Sequence, residues 1–404
     1  MTETSPSAPT PTRSALSDGA AVVDALTVGL LADLAGPDDA DHAGDLVLSP
    51  FSVAAALGMA LAGASGGTER EMARVLGDLP PERIHAGLAA VTTHLAGLAG
   101  PVVLADGTDD EVALSPANAV YAQAGLPWQR AFLDLLDSAY SVEPHAADFR
   151  GAPEQARGEI NHWVAQRTAD RIPELVPAGA VDADTRLVLV NALHLKAPWA
   201  TQFEEAHTRP GRFTTAEGRE VEVPMMRSVG AASGHAEVDG ARVVRLPYAT
   251  GRLAMTVVLP PEGEEAALRR RLGERGWRAY AGAEVAGEVD LTMPRWEART
   301  QAELGDALAR LGMASAFSGE DADFSAMTPE DRLAIAAVVH EGWVAVGEAG
   351  TEAAAATAVM MRLAGAVVRV EREEVVLDRP FAWCVHDVEH GVPVFVGWVA
   401  DPSE

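Results

Sequence analysis

Three short runs hold residue types whose spacing could do chemistry. Gly63-Ala64-Ser65-Gly66-Gly67 matches G-x-S-x-G, in which a serine nucleophile stands on a sharp turn between a strand and a helix. His386-Asp387-Val388-Glu389-His390 matches H-x-x-E-H, a zinc-peptidase pattern whose histidines share a face only on a helix. The third run, 348–357, starts at Glu348, passes Gly350 and contains the alanines Ala353, Ala354, Ala355 and Ala356 before Thr357. Alanine has the best intrinsic helix propensity, so composition alone favours a helix there. At period two, however, Thr351, Ala353, Ala355 and Thr357 share one face, opposite Glu352, Ala354 and Ala356. That face is small and nearly apolar throughout, and such a segment could enter between two strands of a packed sheet without clashing.

The elements that must position these groups separate the three. The residues before Ser65, 54–62, have a helical pattern with no β-branched run, so the glycines are a helix stop and a turn, and no hydrolase is expected. The flanks of 386–390 are apolar and β-rich, and Gly391 follows at once, which makes the run a hairpin connection. No metal or cofactor is therefore expected. Cys384, the single cysteine, excludes an internal disulfide, and its strand-like setting suggests an inert buried thiol. Ser49, Ser52, Asn191 and His340 are polar residues in apolar settings. Singly each is a satisfied core group; as a set they suggest a buried polar network.

Helical periodicity is expected over 20–34, 53–62, 128–137, 156–168, 264–271 and 301–311. A further helix is expected to begin near Thr68, capped by its hydroxyl with Glu71 three residues on. Residues 103–114 contain Asp-Gly-Thr-Asp-Asp and suggest a surface loop. The run 186–196 is almost continuously apolar, the pattern of a strand buried on both faces in mid-sheet. Shorter strands are expected at 117–122, 221–226, 242–248, 253–259, 289–293, 381–386 and 392–399. No proline-rich linker divides the chain after residue 19, so one large mixed α+β domain over 19–404 is expected, preceded by a disordered tail at 1–18.

At 404 residues and 48% hydrophobic, the chain can bury a large core. The formal charge of −28 argues against nucleic acid or anionic membrane as partner. The positive charge is almost all arginine, with Lys196 the one lysine. The Ser/Thr/Pro-rich start has no apolar core, and no uninterrupted apolar run of membrane-spanning length is found, so a cytoplasmic location is expected, or an extracellular one if the true start differs.

A longer pattern runs through the chain in order. It includes Leu48-Ser49-Pro50-Phe51-Ser52-Val53, Asn118-Ala119-Val120-Tyr121, Asn161-His162-Trp163-Val164, and Asn191-Ala192 with Lys196 and Trp199. Val223-Pro224-Met225-Met226, Leu246-Pro247-Tyr248, Ala322-Asp323-Phe324-Ser325, His340, the 348–357 run, Arg379-Pro380-Phe381 and Phe395-Val396-Gly397 follow. With these residues the chain resembles the serpin family, of an inhibitory, prokaryotic type, from about residue 20 to its end. The resemblance implies about nine helices, three sheets and a reactive loop offered as bait to a serine protease. Cleavage of the loop then leaves an acyl-enzyme, and the freed loop inserts as a new strand into the central sheet.

By the same resemblance 348–357 is the hinge, Ser49, Ser52, Asn191 and His340 form a shutter beneath the opening strands, and Trp199 marks the breach where insertion begins. Glu352 would lie on the solvent side of the inserted strand. The family's spacing, sixteen positions after Glu348, places the reactive bond at Ala364–Gly365 and suggests an elastase-like or subtilisin-like target. A loop shorter by one residue would select Leu363–Ala364, and by two Arg362–Leu363. Two positions depart from the family: Gly347 replaces an asparagine, and Arg245 a common acidic residue. Arg83 is the only basic Lys or Arg between 81 and 100, so heparin-type activation is not expected; a monomer with serine proteases as covalent partners is.

Overall fold

The computed structural model describes residues 11–34, 44–229, 234–329, 332–352 and 372–403. In chain order the elements are α1 (Arg13–Leu34), β1 (Leu46–Leu48), α2 (Pro50–Leu61), α3 (Gly66–Val75), α4 (Pro81–Ala96), β2 (Gly100–Val103), β3 (Asp109–Gln123), α5 (Arg130–Tyr140), β4 (His145–Ala147) and α6 (Pro153–Arg167). Next come β5 (Leu187–Pro198), β6 (Arg209–Thr214), β7 (Glu220–Val229), β8 (His235–Val238), β9 (Ala241–Pro247), β10 (Leu253–Leu259), α7 (Glu265–Arg275) and α8 (Arg278–Ala281). The last are β11 (Val289–Pro294), β12 (Trp296–Glu303), α9 (Gly305–Leu308), β13 (Ala337–Val346), β14 (Gly350–Thr351), β15 (Glu373–Val376), β16 (Phe381–Asp387) and β17 (Pro393–Val399).

The strands form three sheets, in the orders β1-β17-β16-β10-β9-β8, β15-β11-β7-β6 and β12-β13-β14-β5-β3-β2, with β4 added beside β3. The third sheet is central, and β5 shows why. Its even positions Val188, Val190 and Ala192 meet Ile160 and Val164 of α6 in one apolar cluster. Its odd positions Leu187, Leu189, Leu193 and Leu195 enter the main core on the other side. A strand sandwiched in this way has to be apolar at successive positions, which is why its sequence does not alternate. On the main-core side lies α2, buried at every residue. Its alanines let it sit close against the sheet, and Ser49 caps its start by accepting from the Ser52 N–H at 3.3 Å.

Several expectations fail locally. Helix α1 begins at Arg13, inside the stretch expected to be a disordered tail. Thr12 Oγ1 accepts from the Ala15 N–H at 3.2 Å, and Asp18 takes two hydrogen bonds from Arg83 at 2.9 and 2.6 Å, which together hold the added turns. Although Asp18, Asp24 and Asp33 interrupt it, this helix is long and apolar enough by length and composition to cross a membrane, but half of its most apolar stretch is buried in the core. Thr68 does not cap a helix: α3 begins at Gly66, and the Thr68 hydroxyl accepts from the Asp323 N–H at 3.0 Å while Glu71 accepts from the Ser315 N–H at 3.0 Å. Both side chains of the expected box tie α3 to distant chain instead. The expected loop at 103–114 is largely strand, because Asp109 to Val112 pair with β2, and Asp110 meets Lys196 at 2.9 Å. The expected helix 301–311 starts as the end of β12, whose register along β13 runs to Glu303↔Val339.

Candidate functional site

The central sheet is zipped at one end and wedged open at the other. β5 and β13 pair in parallel over six residues, from Ala337↔Val188 to Gly342↔Leu193. Beyond that point β14 stands between them, antiparallel to both, with Thr351 opposite Val346 on one side and Ala197 on the other. The chain reaches this position through a tight reversal after β13. Gly347 and Gly350 exchange hydrogen bonds in both directions, at 3.0 and 3.3 Å. Gly350 has φ +153°, and a Cβ there would lie 2.3 Å from the Ala197 carbonyl oxygen, so only glycine fits.

Side chains fasten the reversal. Trp199 is buried, stacks on Tyr248 with ring centroids 4.6 Å apart, and donates its indole N–H to the Gly347 carbonyl at 3.0 Å. Its backbone N–H donates to Ala349 O at 3.0 Å. Glu348 accepts from Arg295 at 2.6 Å and from the Thr208 hydroxyl at 2.7 Å. Burial raises the Glu348 pKa, but these two hydrogen bonds outweigh it and hold the carboxyl below its ordinary value. Gly347, where the family has an asparagine, serves through its backbone. Arg245, the other departure, donates to the carbonyls of Ala281 and Ala283 at 2.5 and 3.0 Å.

The alternation read from the sequence holds for the two residues that enter the sheet. Thr351 faces the core, where its hydroxyl meets Tyr248 Oη at 2.7 Å. Glu352 points the other way, yet it is not solvated: it pairs with His194 and Arg171, and its side chain is only 9% exposed. Burial lowers the His194 pKa despite the neighbouring carboxylate. The expected solvent-facing position is thus an ion-pair site under the loop that carries Arg171. Ala353, Ala354, Ala355, Ala356 and Thr357, and the candidate reactive residues Arg362, Leu363, Ala364 and Gly365, lie outside the described residues.

Directly below the wedge the structure brings Ser49, Ser52, Asn191 and His340 together as one network. Asn191 on β5 and His340 on β13 are register partners, and His340 Nδ1 lies 2.5 Å from Asn191 Oδ1. An amide oxygen only accepts, so Nδ1 carries the proton and Nε2 accepts from the Ser49 N–H at 3.2 Å. Asn191 Nδ2 donates to Ser52 Oγ at 2.6 Å and to Asn118 Oδ1 at 2.8 Å, and Ser49 Oγ donates to Val394 O at 2.8 Å. Burial pushes the His340 pKa down to about 4, which keeps the ring neutral and this pattern intact. The network spans the seam that must part if more chain is to follow β14. Sequence reasoning missed Asn118, Arg295, Thr208, Tyr248, His194 and Arg171 as members of these two constellations. Asn118 alone had a signal, as a polar residue in an apolar strand.

The two catalytic-looking motifs resolve as the flanking elements indicated. Ser65 follows α2, and its hydroxyl takes a hydrogen bond from Ser325 Oγ at 3.3 Å, a partner that cannot act as a general base. His386 and Asp387 end β16 and 388–390 form the turn toward β17, and His386 points inward to meet Thr256 Oγ1 at 2.8 Å. Cys384 is fully buried, and burial raises its thiol pKa well above the usual value, so the thiolate nucleophile is suppressed.

Three sheets, in one of which a short strand from the 348–357 run separates the ends of β5 and β13, define the fold. The chain belongs to the serpin family: the family model described as serpin (serine protease inhibitor) matches residues 24–402. It is 32% identical to the leukocyte elastase inhibitor of Bos taurus, covering 89% of this chain and 94% of the relative. It is also 32% identical to Iris of Ixodes ricinus, over 90% of this chain and 94% of that one. Among solved structures, the thermophilic serpin Tengpin in its native state superposes with a TM-score of 0.80 at 25% identity, over 95% of this chain and 94% of that chain. Human thyroxine-binding globulin complexed with thyroxine gives 0.81 at 25% identity, over 97% and 100%. The α+β serpin fold and three sheets expected from the sequence are therefore established, with nine α-helices among the described residues.

Proposed function

We infer that this chain inhibits serine proteases as a suicide substrate. The observation that carries this reading is β14, seated antiparallel between β5 and β13 at the open end of a parallel seam only six pairs long. Antiparallel ladders are slightly more stable per residue than parallel ones. Continuing β14 downward would replace one parallel ladder by two antiparallel ones, so the fold has more hydrogen bonding to gain than it now holds. The continuation in sequence is Ala353, Ala355 and Thr357 on the face that Thr351 already turns to the core. None is larger than threonine, and none would bury a charge.

In this mechanism the protease's serine attacks the carbonyl of the bait residue, the bond to the next residue breaks, and the amine leaves with the C-terminal piece. The acyl-enzyme ester then travels with the inserting strand. About fifteen residues at roughly 3.3 Å each carry it around 50 Å along the sheet. The bait bond is assigned to Ala364–Gly365, which favours an elastase-like or subtilisin-like protease; a relative named leukocyte elastase inhibitor fits that preference. Leu363–Ala364 would favour a chymotrypsin-like protease, and Arg362–Leu363 a trypsin-like one. Neither heparin activation nor an oligomer is needed for this mechanism.

A non-inhibitory binding module is the second reading, favoured by the fold's likeness to thyroxine-binding globulin. Incubation with elastase, subtilisin, chymotrypsin and trypsin, read on a denaturing gel, separates the two. The inhibitor reading expects an SDS-stable complex with elastase or subtilisin and release of a C-terminal peptide starting at Gly365. Loop cleavage by every protease with no complex would overturn it, and a peptide starting at Leu363 would move the bait bond.

A further inference from the structure

The C-terminal part of the H-x-x-E-H run meets a partner that sequence spacing does not reveal. His94, in the last turn of α4, lies beside the β16–β17 turn, and its ring centroid is 4.9 Å from that of His390. One ligand-capable atom from each of His94, Glu389 and His390 lies within 4.8 Å of the others. We propose that His94, Glu389 and His390 form a binding site for a divalent transition metal of the zinc type, clamping α4 to the β16–β17 hairpin. The site is separate from the sheet opening and independent of the inhibitory reading.

The support behind His94 is what distinguishes the cluster from a chance meeting of surface groups. Its Nε2 is 2.9 Å from Oδ1 of Asp387, a carboxylate whose side chain is wholly buried. The second oxygen of Asp387 accepts from the His390 backbone N–H at 2.6 Å. A carboxylate that holds one imidazole N–H fixes the tautomer and leaves the other nitrogen, Nδ1, with its lone pair free for a metal. The backbone around the turn is pinned as well: Asp387 N–H donates to Val392 O at 3.1 Å, Gly391 N–H to Asp387 O at 2.9 Å, and Val388 N–H to Arg252 O at 2.9 Å. Arg252 in turn donates to Gly97 O at 3.1 Å, just past the end of α4.

Two imidazoles and one carboxylate are a common zinc donor set, with water in the fourth position. Tetrahedral ligands at about 2.0–2.1 Å from zinc stand roughly 3.4 Å apart, so spacings of up to 4.8 Å must close by up to about 1.4 Å. The Glu389 side chain, 68% exposed, has the freedom to make that movement, and His390 is 21% exposed. The peptidase reading of the motif fails because His386 faces the sheet; Glu389 and His390 are reused with a different histidine.

The test is calorimetric titration of the EDTA-treated, untagged full chain with zinc chloride, alongside His390→Ala and Glu389→Ala. Both substitutions are in an exposed turn, and the first keeps the backbone N–H that Asp387 accepts, so both variants are expected to melt like the parent in EDTA. The parent should bind one zinc per chain and melt at a higher temperature when it does. Each variant should lose at least about tenfold in affinity, and with it the thermal shift. Absence of saturable zinc binding in the parent, or variants that titrate and melt as the parent does, would overturn the proposal.

Discussion

His340 carries the clearest consequence at the scale of single residues, because one ring nitrogen donates across the β5–β13 seam while the other accepts from α2's cap. Protonation would remove the acceptor and set a charge in the core. Its folded pKa of about 4 lies below the ordinary 6.5 of the unfolded chain. Stability from this group is therefore fully present above about pH 6.5 and is lost as pH falls toward 4, because the unfolded state binds the proton first. The full loss is about 3 kcal/mol, from about 1.4 kcal/mol per pKa unit. His85 and His386, also pushed to about 4 by burial, act in the same direction. Urea unfolding at pH 7 and pH 5 should show a clear drop for the parent and a shallower one for His340→Gln; equal drops would remove His340 from the acid response.

At the scale of elements, the inhibitory reading requires the core-facing positions of the 348–357 run to stay small and uncharged. Thr351 is buried and bonded to Tyr248, so Thr351→Arg would place a cation where nothing can solvate it. The variant should still be cleaved by the target protease but should form at least about tenfold less SDS-stable complex, a change worth about 1.4 kcal/mol in the partition between trapping and turnover. Complex yield equal to the parent's would mean that Thr351 does not enter the sheet. The elements were legible where burial on both faces or strict alternation left one pattern available, as in β5 and at Thr351. They were not legible where a distant partner decided the outcome. Thr68 and Glu71 look like a capping box, but Asp323 and Ser315 claim them. The residues 301–303 have a helical period, but the β13 edge recruits them as strand. The polar shutter residues could be named from their apolar surroundings, whereas Arg295 and Arg171 could not, because an exposed-looking arginine acquires meaning only from the carboxylate the fold brings to it.

At the scale of the whole molecule, the proposed mechanism requires a fold that is not at its most stable arrangement while the loop is intact. Six parallel pairs and the His340–Asn191 contact hold the seam shut, while two residues of the entering strand already hold it open at one end. On the proposed mechanism, cutting the loop frees the strand to enter the sheet. About fifteen newly laddered residues, at about 1 kcal/mol net for each added hydrogen bond, would contribute on the order of 15 kcal/mol. In a chain of this size that should raise the melting temperature by roughly 10–20 °C or more. The measurement that tests this most directly is thermal unfolding, followed by circular dichroism, of the intact chain and of the chain nicked in its loop by a non-target protease with both pieces retained. A melting temperature raised by at least about 10 °C is expected after the nick; an unchanged or lowered one would contradict insertion of the loop.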